Sequence, residues 1–299
     1  GGGPHAAEKT RGDVQPLFFN PGMDPLLYEK IPDRRALFGS KGSNLAVISS
    51  VGIPVPEGFI LPSSLGKMRK EMGAEAFNRW LDKKLRVWLR KLEANIGGKT
   101  RFGSPAHPLL LSVRSGSAIS MPGMMSTIPN VGVNERVADS LSQQKSNAWY
   151  AYDTYRLFLR DFAVATWGID PEIFNDVIPL LKVRENVTSK TMLSPKAMKT
   201  ALNEYKEIIS RAGHKRELNA LLADPQLALI LSINAVLDSW ESGPARVYRE
   251  REGLSHEWGT GVIVQRMRFG NFLGQNEAPS MTGVLFTRDV HNARLGLNG

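Results

Sequence analysis

Two cations in this chain stand where glycine and serine would let backbone approach an anion. Arg114 ends an apolar run, Leu109-Leu110-Leu111 through Val113, that reads as a short buried strand. A loop rich in Gly, Ser and Met follows and closes at Pro122-Gly123. Lys41 lies between Gly39 and Gly42, just ahead of Ser43 and Asn44, either of which could cap a helix carrying Leu45, Val47 and Ile48. A guanidinium fork suits phosphate oxygens. Successive backbone N–H groups in such a loop can form a concave anion site, and a lysine at a helix start acts with the helix dipole. The chemistry open to these residues is the cradling of a polyphosphate at a strand end. On pattern alone both stretches also read as plain turns, with Lys41 in water. The spacing matches neither G-x-x-x-x-G-K-[ST] nor G-x-G-x-x-G.

The elements that would position these cations can be read around them. Residues 1–17 hold little apolar content and predict a disordered lead-in. Residues 52–62, GIPVPEGFILP, read as a strand whose prolines suit an edge or the entry to a sheet. Phe77, Leu81, Leu85, Trp88 and Leu92 mark one face of a helix, with Arg79, Lys83, Arg86 and Arg90 on the other, as a solvated face or a polyanion stripe. Residues 135–166 read as helical, with a core stripe of Trp149, Tyr152, Tyr155, Leu159 and Phe162. Ser194-Pro195 and Asp224-Pro225 each combine an N-cap with proline in the first turn. Val262 to Gln265 and 281–288 read as two strands paired antiparallel across a long loop at 271–280. The expected organisation is an N-terminal lobe with the phosphate-binding loop at 18–134, a helical segment at 135–245, and part of a second lobe at 246–299.

The 299 residues are 42% hydrophobic and 22% charged, enough for a sizeable core. No stretch is long and apolar enough to span a bilayer, so no membrane partner is expected. The absence of cysteine excludes a disulfide frame, a thiol nucleophile and a thiolate metal site. The net charge of +9 reads as a solvated basic surface or as a field that draws in polyanions. Gly1-Gly2-Gly3 at the start and a strand-like segment shortly before Gly299 suggest cuts in a longer protein.

Several segments together resemble one family. FGSKGSNLA at 38–46, SVRSGSAISMPGMMSTIPNVGVN at 112–134, AYDTYR at 151–156, EWGTGVIVQRMRFGN at 257–271 and TGVLFTRD at 282–289 are similar, in order, to the N-terminal nucleotide-binding domain of pyruvate, phosphate dikinase. The resemblance implies an α+β, ATP-grasp-type fold of two lobes with a largely helical middle segment. It implies a kinase-type phosphotransferase that turns ATP, phosphate and pyruvate into AMP, pyrophosphate and phosphoenolpyruvate. The cofactors implied are ATP and Mg2+, with the metal carboxylates expected beyond residue 299. The partners implied are a swivelling phosphohistidine domain and a pyruvate-binding barrel, neither within this sequence, with a homodimer formed through the C-terminal part. This fragment alone is therefore expected to be inactive.

Carried over by position, the resemblance makes Lys41 and Arg114 the catalytic and phosphate-binding cations and Arg156 a further phosphate contact. The loop of Ser120, Met121, Gly123, Met124 and Met125 would cover the phosphates through its backbone N–H groups. Gln265 to Met267 would lie at the inter-lobe hinge, with backbone reading the adenine edge, and Thr282 and Gly283 would approach from the second lobe. Ser126 departs from the family pattern, in which Asp follows the paired methionines. No histidine here stands in a Thr-Ser-His setting, and none is expected to carry phosphate. The compartment implied is the cytoplasm, or a plastid or other organelle if a targeting segment lies upstream. Alternatives are a phosphoenolpyruvate synthase or glucan, water dikinase relative and a non-catalytic nucleotide-binding remnant. A basic nucleic-acid-binding domain explains the charge but leaves the SMPGMM block unexplained.

Overall fold

The computed structural model describes residues 14–21, 23–24, 29–31, 33–119, 121, 123–143, 148–269, 286–288 and 295–298. The chain divides after Met267 into two units. In the first, an antiparallel sheet has the order β1-β2-β7-β5-β6, formed by β1 (Leu17–Phe19), β2 (Gly58–Leu61), β5 (Leu111–Gly116), β6 (Thr127–Val131) and β7 (Gly261–Arg266). A small parallel pair, β3 (Arg101–Phe102) with β4 (Pro108–Leu109), stands beside it in sequence. In the second unit, β8 (Phe286–Arg288) pairs antiparallel with β9 (Leu295–Asn298). The molecule is α+β, as expected.

The register sorts the sheet into two faces, because residues directly opposite one another share a side. Phe18, Phe59, Val264, Val113 and Ile128 form one row across all five strands. Helix α3 (Ala74–Asn95) covers this apolar face, with Trp88 6.1 Å from the Phe59 ring, and α9 (Pro225–Trp240) lies against β5 and β6. The buried stripe of α3 is Phe77, Leu81, Leu85, Trp88 and Leu92, with Leu89 added. Arg79, Lys83, Arg86 and Arg90 are exposed, and two of them pair with acids one turn away, Arg79 with Glu75 and Arg86 with Asp82. They form a solvated face.

The opposite face reads Leu17, Ile60, Ile263, Arg114 and Thr127 from β1 to β6. Helix α1 (Arg34–Ser50) packs its Phe38 and Ala46 onto the first three, which are buried. Arg114 and Thr127 complete the row as half-buried and exposed positions.

The remaining helices are α2 (Leu65–Met72), α4 (Glu135–Gln143), α5 (Ala148–Trp167), α6 (Val177–Glu185), α7 (Pro195–Ile209), α8 (Lys215–Ala223) and α10 (Gly243–Arg251). The two expected caps are in place: Ser194 Oγ accepts from Ala197 N at 3.1 Å, and Asp224 Oδ1 accepts from Gln226 N at 2.9 Å. Ser242 caps α10 in the same way, its Oγ accepting from Ala245 N, with Pro244 at the second helical position. The α5 stripe is core, with Tyr155, Leu159 and Phe162 buried.

Three expectations are corrected. First, β7 does not pair with the strand near 286–288; it lies between β2 and β5, and its first five residues are buried. Both edges of β7 are taken, by β2 on one side and β5 on the other. The first unit, which runs to Met267, holds β7 whole. Second, the helix around Lys41 does not begin at Ser43 or Asn44. It runs from Arg34 and breaks at Gly39, whose φ of 72° and ψ of 170° are non-helical. Third, past the break its buried residues are the small Gly42, Ser43, Ala46 and Ser49, while Val47 and Ile48 are exposed. Small residues let this helix sit close to the sheet; the Ile60 side chain would be 3.0 Å from a Cβ at Gly42. The stretch at 271–280 lies outside the described residues.

Candidate functional site

The site is built where the end of β5 meets the break in α1. Gly39 touches the Gly116 backbone so closely that a Cβ there would fall 1.5 Å from the Gly116 carbonyl oxygen. Ser40 N donates to Ser117 O at 3.1 Å, and Ser40 Oγ donates to Ala118 O. The second segment of α1, opening with Ser40 and Lys41, is thus clamped to the start of the loop that follows β5. Lys41 itself is exposed.

Past Ser117 the loop is anchored twice. Met121 is 5% exposed, and Met124 N donates to Met121 O at 3.3 Å to close a turn. Met125 Sδ lies 3.9 Å from Ser239 Oγ of α9, whose hydroxyl donates to Val236 O at 2.7 Å. Gly123 stands exposed between the anchors with a φ of 73°. Behind the loop is a cavity of about 530 Å³ lined by Met124, Ser126, Thr127, Arg160 and Ser239. Ser120, Thr282 and Gly283 lie outside the described residues.

Arg114 carries the electrostatics. Its Nη2 donates to Gln265 Oε1, its Nε is buried with no partner, and burial lowers its pKa from the ordinary value. Among the described residues no carboxylate pairs with it. A half-desolvated guanidinium without a counter-ion attracts an anion strongly, because water no longer screens it fully. Gln265 is 6% exposed, and its Nε2 donates to Pro56 O at 2.8 Å.

One expected contact is placed differently. Arg156 is 3% exposed and paired with Asp153 through both Nε and Nη2, and its Nη1 donates to Tyr205 OH at 2.8 Å. Lys190 holds the other Asp153 oxygen at 3.0 Å. A guanidinium enclosed this way ties α5 to α7 and is not presented to a ligand. In the stretch expected as a hinge, Arg266 N donates to Glu57 O and Met267 N to Leu110 O, at 2.8 and 2.9 Å. Met267 is the last residue of the first unit.

The sequence singles out Arg114, Lys41 and the loop as candidates, but not the contacts of Gly39, Ser40 and the Gln265 side chain. The signal for the first two was present in FGSKGS: a glycine two residues before a lysine and directly before a serine. Among the described residues no group of three or more His, Asp or Glu side chains is arranged to hold a metal ion. Of the described histidines, His214 stacks on Trp167 with ring centroids 5.0 Å apart, and His256 Nδ1 accepts from Arg249 Nε at 3.1 Å.

The profile of the family described as pyruvate phosphate dikinase, AMP/ATP-binding domain, matches residues 35–296. The chain belongs to that family. The match spans Lys41, the Arg114 loop and Gln265, the parts that the geometry joins. Among curated relatives, the chain is 37% identical over 265 residues to the chloroplastic pyruvate, phosphate dikinase of Mesembryanthemum crystallinum. It is 38% identical over 265 residues to pyruvate, phosphate dikinase 2 of Zea mays, and 34% identical over 263 residues to the pyruvate, phosphate dikinase of Rickettsia bellii. These matches cover 89%, 89% and 88% of this chain but only 27%, 29% and 29% of the relatives. The chain thus spans under a third of the length of the proteins it matches.

Proposed function

We propose that this chain is the ATP-binding part of a pyruvate, phosphate dikinase-like phosphotransferase. The observation that carries the reading is Arg114: a half-buried cation with no carboxylate partner, at the mouth of a Gly/Ser/Met loop and on the part of the sheet face past α1. In this reading ATP lies on the sheet of the first unit, at the mouth of the loop that follows β5. Arg114 and Lys41 neutralise the phosphates, and the loop from Ser120 to Met125 folds over them. Phosphoryl transfer depends on alignment and charge neutralisation more than on a nucleophile from the same domain. The β-phosphoryl group would pass to a histidine on a swivelling domain, then to pyruvate at a separate barrel, both supplied by the longer protein. Mg2+ would accompany the triphosphate, with carboxylate ligands from outside the described residues. Chloroplastic and bacterial relatives both match, so the reading requires no particular compartment.

Titration calorimetry of the chain with ATP, AMP and pyrophosphate tests this. Binding of ATP that weakens about 10- to 100-fold in Arg114→Ala is expected, the worth of one or two hydrogen bonds from a charged group. Unchanged affinity in that variant refutes the role of Arg114. In the full-length protein, ATP labelled at the β-phosphate should leave acid-labile label on histidine.

A further inference from the structure

Arg114 is held by an amide. On the face shared by Leu17, Ile60 and Ile263, the next row is Phe19, Gly58, Gln265 and Ser112, so Gln265 sits one pleat along from Arg114 on the neighbouring strand. Both ends of the Gln265 amide are engaged: its oxygen accepts from Arg114 Nη2 and its nitrogen donates to the carbonyl of Pro56. The Pro56 bond fixes which end of the amide faces the arginine, since a flipped amide would place two donors together and leave the carbonyl unpaired. We infer that Gln265 is a positioning residue for Arg114, aiming its guanidinium while leaving its charge whole for a phosphate-bearing ligand. This rests on the nucleotide reading above.

The choice of amide over acid follows from electrostatics. A carboxylate at this buried position would form a bidentate pair with Arg114 and cancel the charge the site needs. An apolar side chain would leave the guanidinium unheld, and the entropy of ordering it would fall on ligand binding. The nearby carboxylate of Glu57 is engaged by Arg266 at 3.3 Å, on the strand residue that follows Gln265. Nothing in this arrangement requires the Gln265 backbone to touch a nucleotide.

The test compares Gln265→Met, Gln265→Glu, Arg114→Ala and the double variant Arg114→Ala/Gln265→Met, with ATP, tripolyphosphate and adenosine as probes in calorimetry. Methionine keeps length and volume without the amide, and a urea titration of each variant confirms folding. Gln265→Glu should weaken ATP and tripolyphosphate at least tenfold, and Gln265→Met about three- to tenfold, with adenosine affinity unchanged in both. On an Arg114→Ala background, Gln265→Met should have no further effect. Equal ATP affinity in all Gln265 variants, or a parallel loss of adenosine, overturns the proposal. A ligand-free arm separates the two readings: the rate at which phenylglyoxal modifies Arg114, followed by mass spectrometry. It should rise in Gln265→Met, and an unchanged rate overturns the positioning role. A wild-type chain that binds neither ATP nor tripolyphosphate overturns the nucleotide reading, and with it the ligand half of this one, whatever that rate shows.

Discussion

Replacing Gly39 by alanine should disconnect α1 from the sheet. Two costs add at this position. The backbone holds a φ of 72° and a ψ of 170°, a region that non-glycine residues enter at about 1–3 kcal/mol. The new Cβ would also stand 1.5 Å from the Gly116 carbonyl oxygen and 2.2 Å from its carbon. Restoring an ordinary 3.4 Å contact requires a displacement of about 1.9 Å, and the obstacle is backbone of a central strand, which cannot rotate away. The movement must come from α1, so the Ser40–Ser117 and Ser40–Ala118 bonds break and Lys41 leaves the mouth of the loop.

The loss should exceed about 3 kcal/mol, strain and overpacking together. Gly52→Ala is the control: Gly52 also has a positive φ, 78°, but nothing lies within 4 Å of its Cβ position, so it bears the backbone term of roughly 1–2 kcal/mol alone. Urea titration followed by tryptophan fluorescence reads both midpoints, and calorimetry reads ATP affinity at low urea. Equal losses in the two variants, or full ATP affinity in Gly39→Ala, would refute the claim that the α1–β5 contact sets the site.

Asp153→Ala strands the buried Arg156 without its carboxylate and should cost about 3–5 kcal/mol in a denaturant titration, while ATP affinity of the folded protein stays within about twofold. Weaker ATP binding at full stability would restore Arg156 as a ligand contact. Glu185 accepts from Ser194 Oγ and N, which holds its carboxyl below the ordinary value of 4.5. A depressed folded pKa contributes stability above the unfolded value and loses it as pH falls through the folded one. The midpoint difference between wild type and Glu185→Gln should therefore be present at pH 6 and shrink as the pH falls below the ordinary value of 4.5; a constant difference would refute it.

What was legible in the sequence is what local chemistry decides. The α3 stripe repeats with the helix period and needs no partner to be seen. Ser194-Pro195 and Asp224-Pro225 start helices because the cap and the proline act within one turn. The Arg114 loop was visible as a candidate because Gly, Ser and Arg advertise an anion site wherever they fold. The misreadings involve partners far away in the chain. Val262 to Gln265 alternates as a half-buried strand would, yet its ladder partners are residues 58–61 and 111–116, about 150 to 200 positions earlier. Gly39 looked like a turn before a helix; contact with Gly116 makes it a break within one. Arg156 matched a motif, but Asp153 at the preceding turn and Tyr205 on another helix enclose it.

The site itself is a consequence of strand order. In the row Leu17, Ile60, Ile263, Arg114 and Thr127, three apolar residues lie under α1 and the two polar ones fall past them. The cation sits next to the apolar core, where water screens its field less. No segment of the sequence contains that row. It exists only once β7 enters between β2 and β5, and that same insertion brings Gln265 beside Arg114. A substitution that shifted the β7 register by one residue would move Ile263 and Gln265 to the α3 face together and replace them with Val262 and Val264. It would remove the support for α1 and the hold on the guanidinium in one step. Fold and binding are therefore coupled through β7, and variants that weaken its pairing should lose stability and phosphate affinity in parallel, whereas Gln265→Met separates the two.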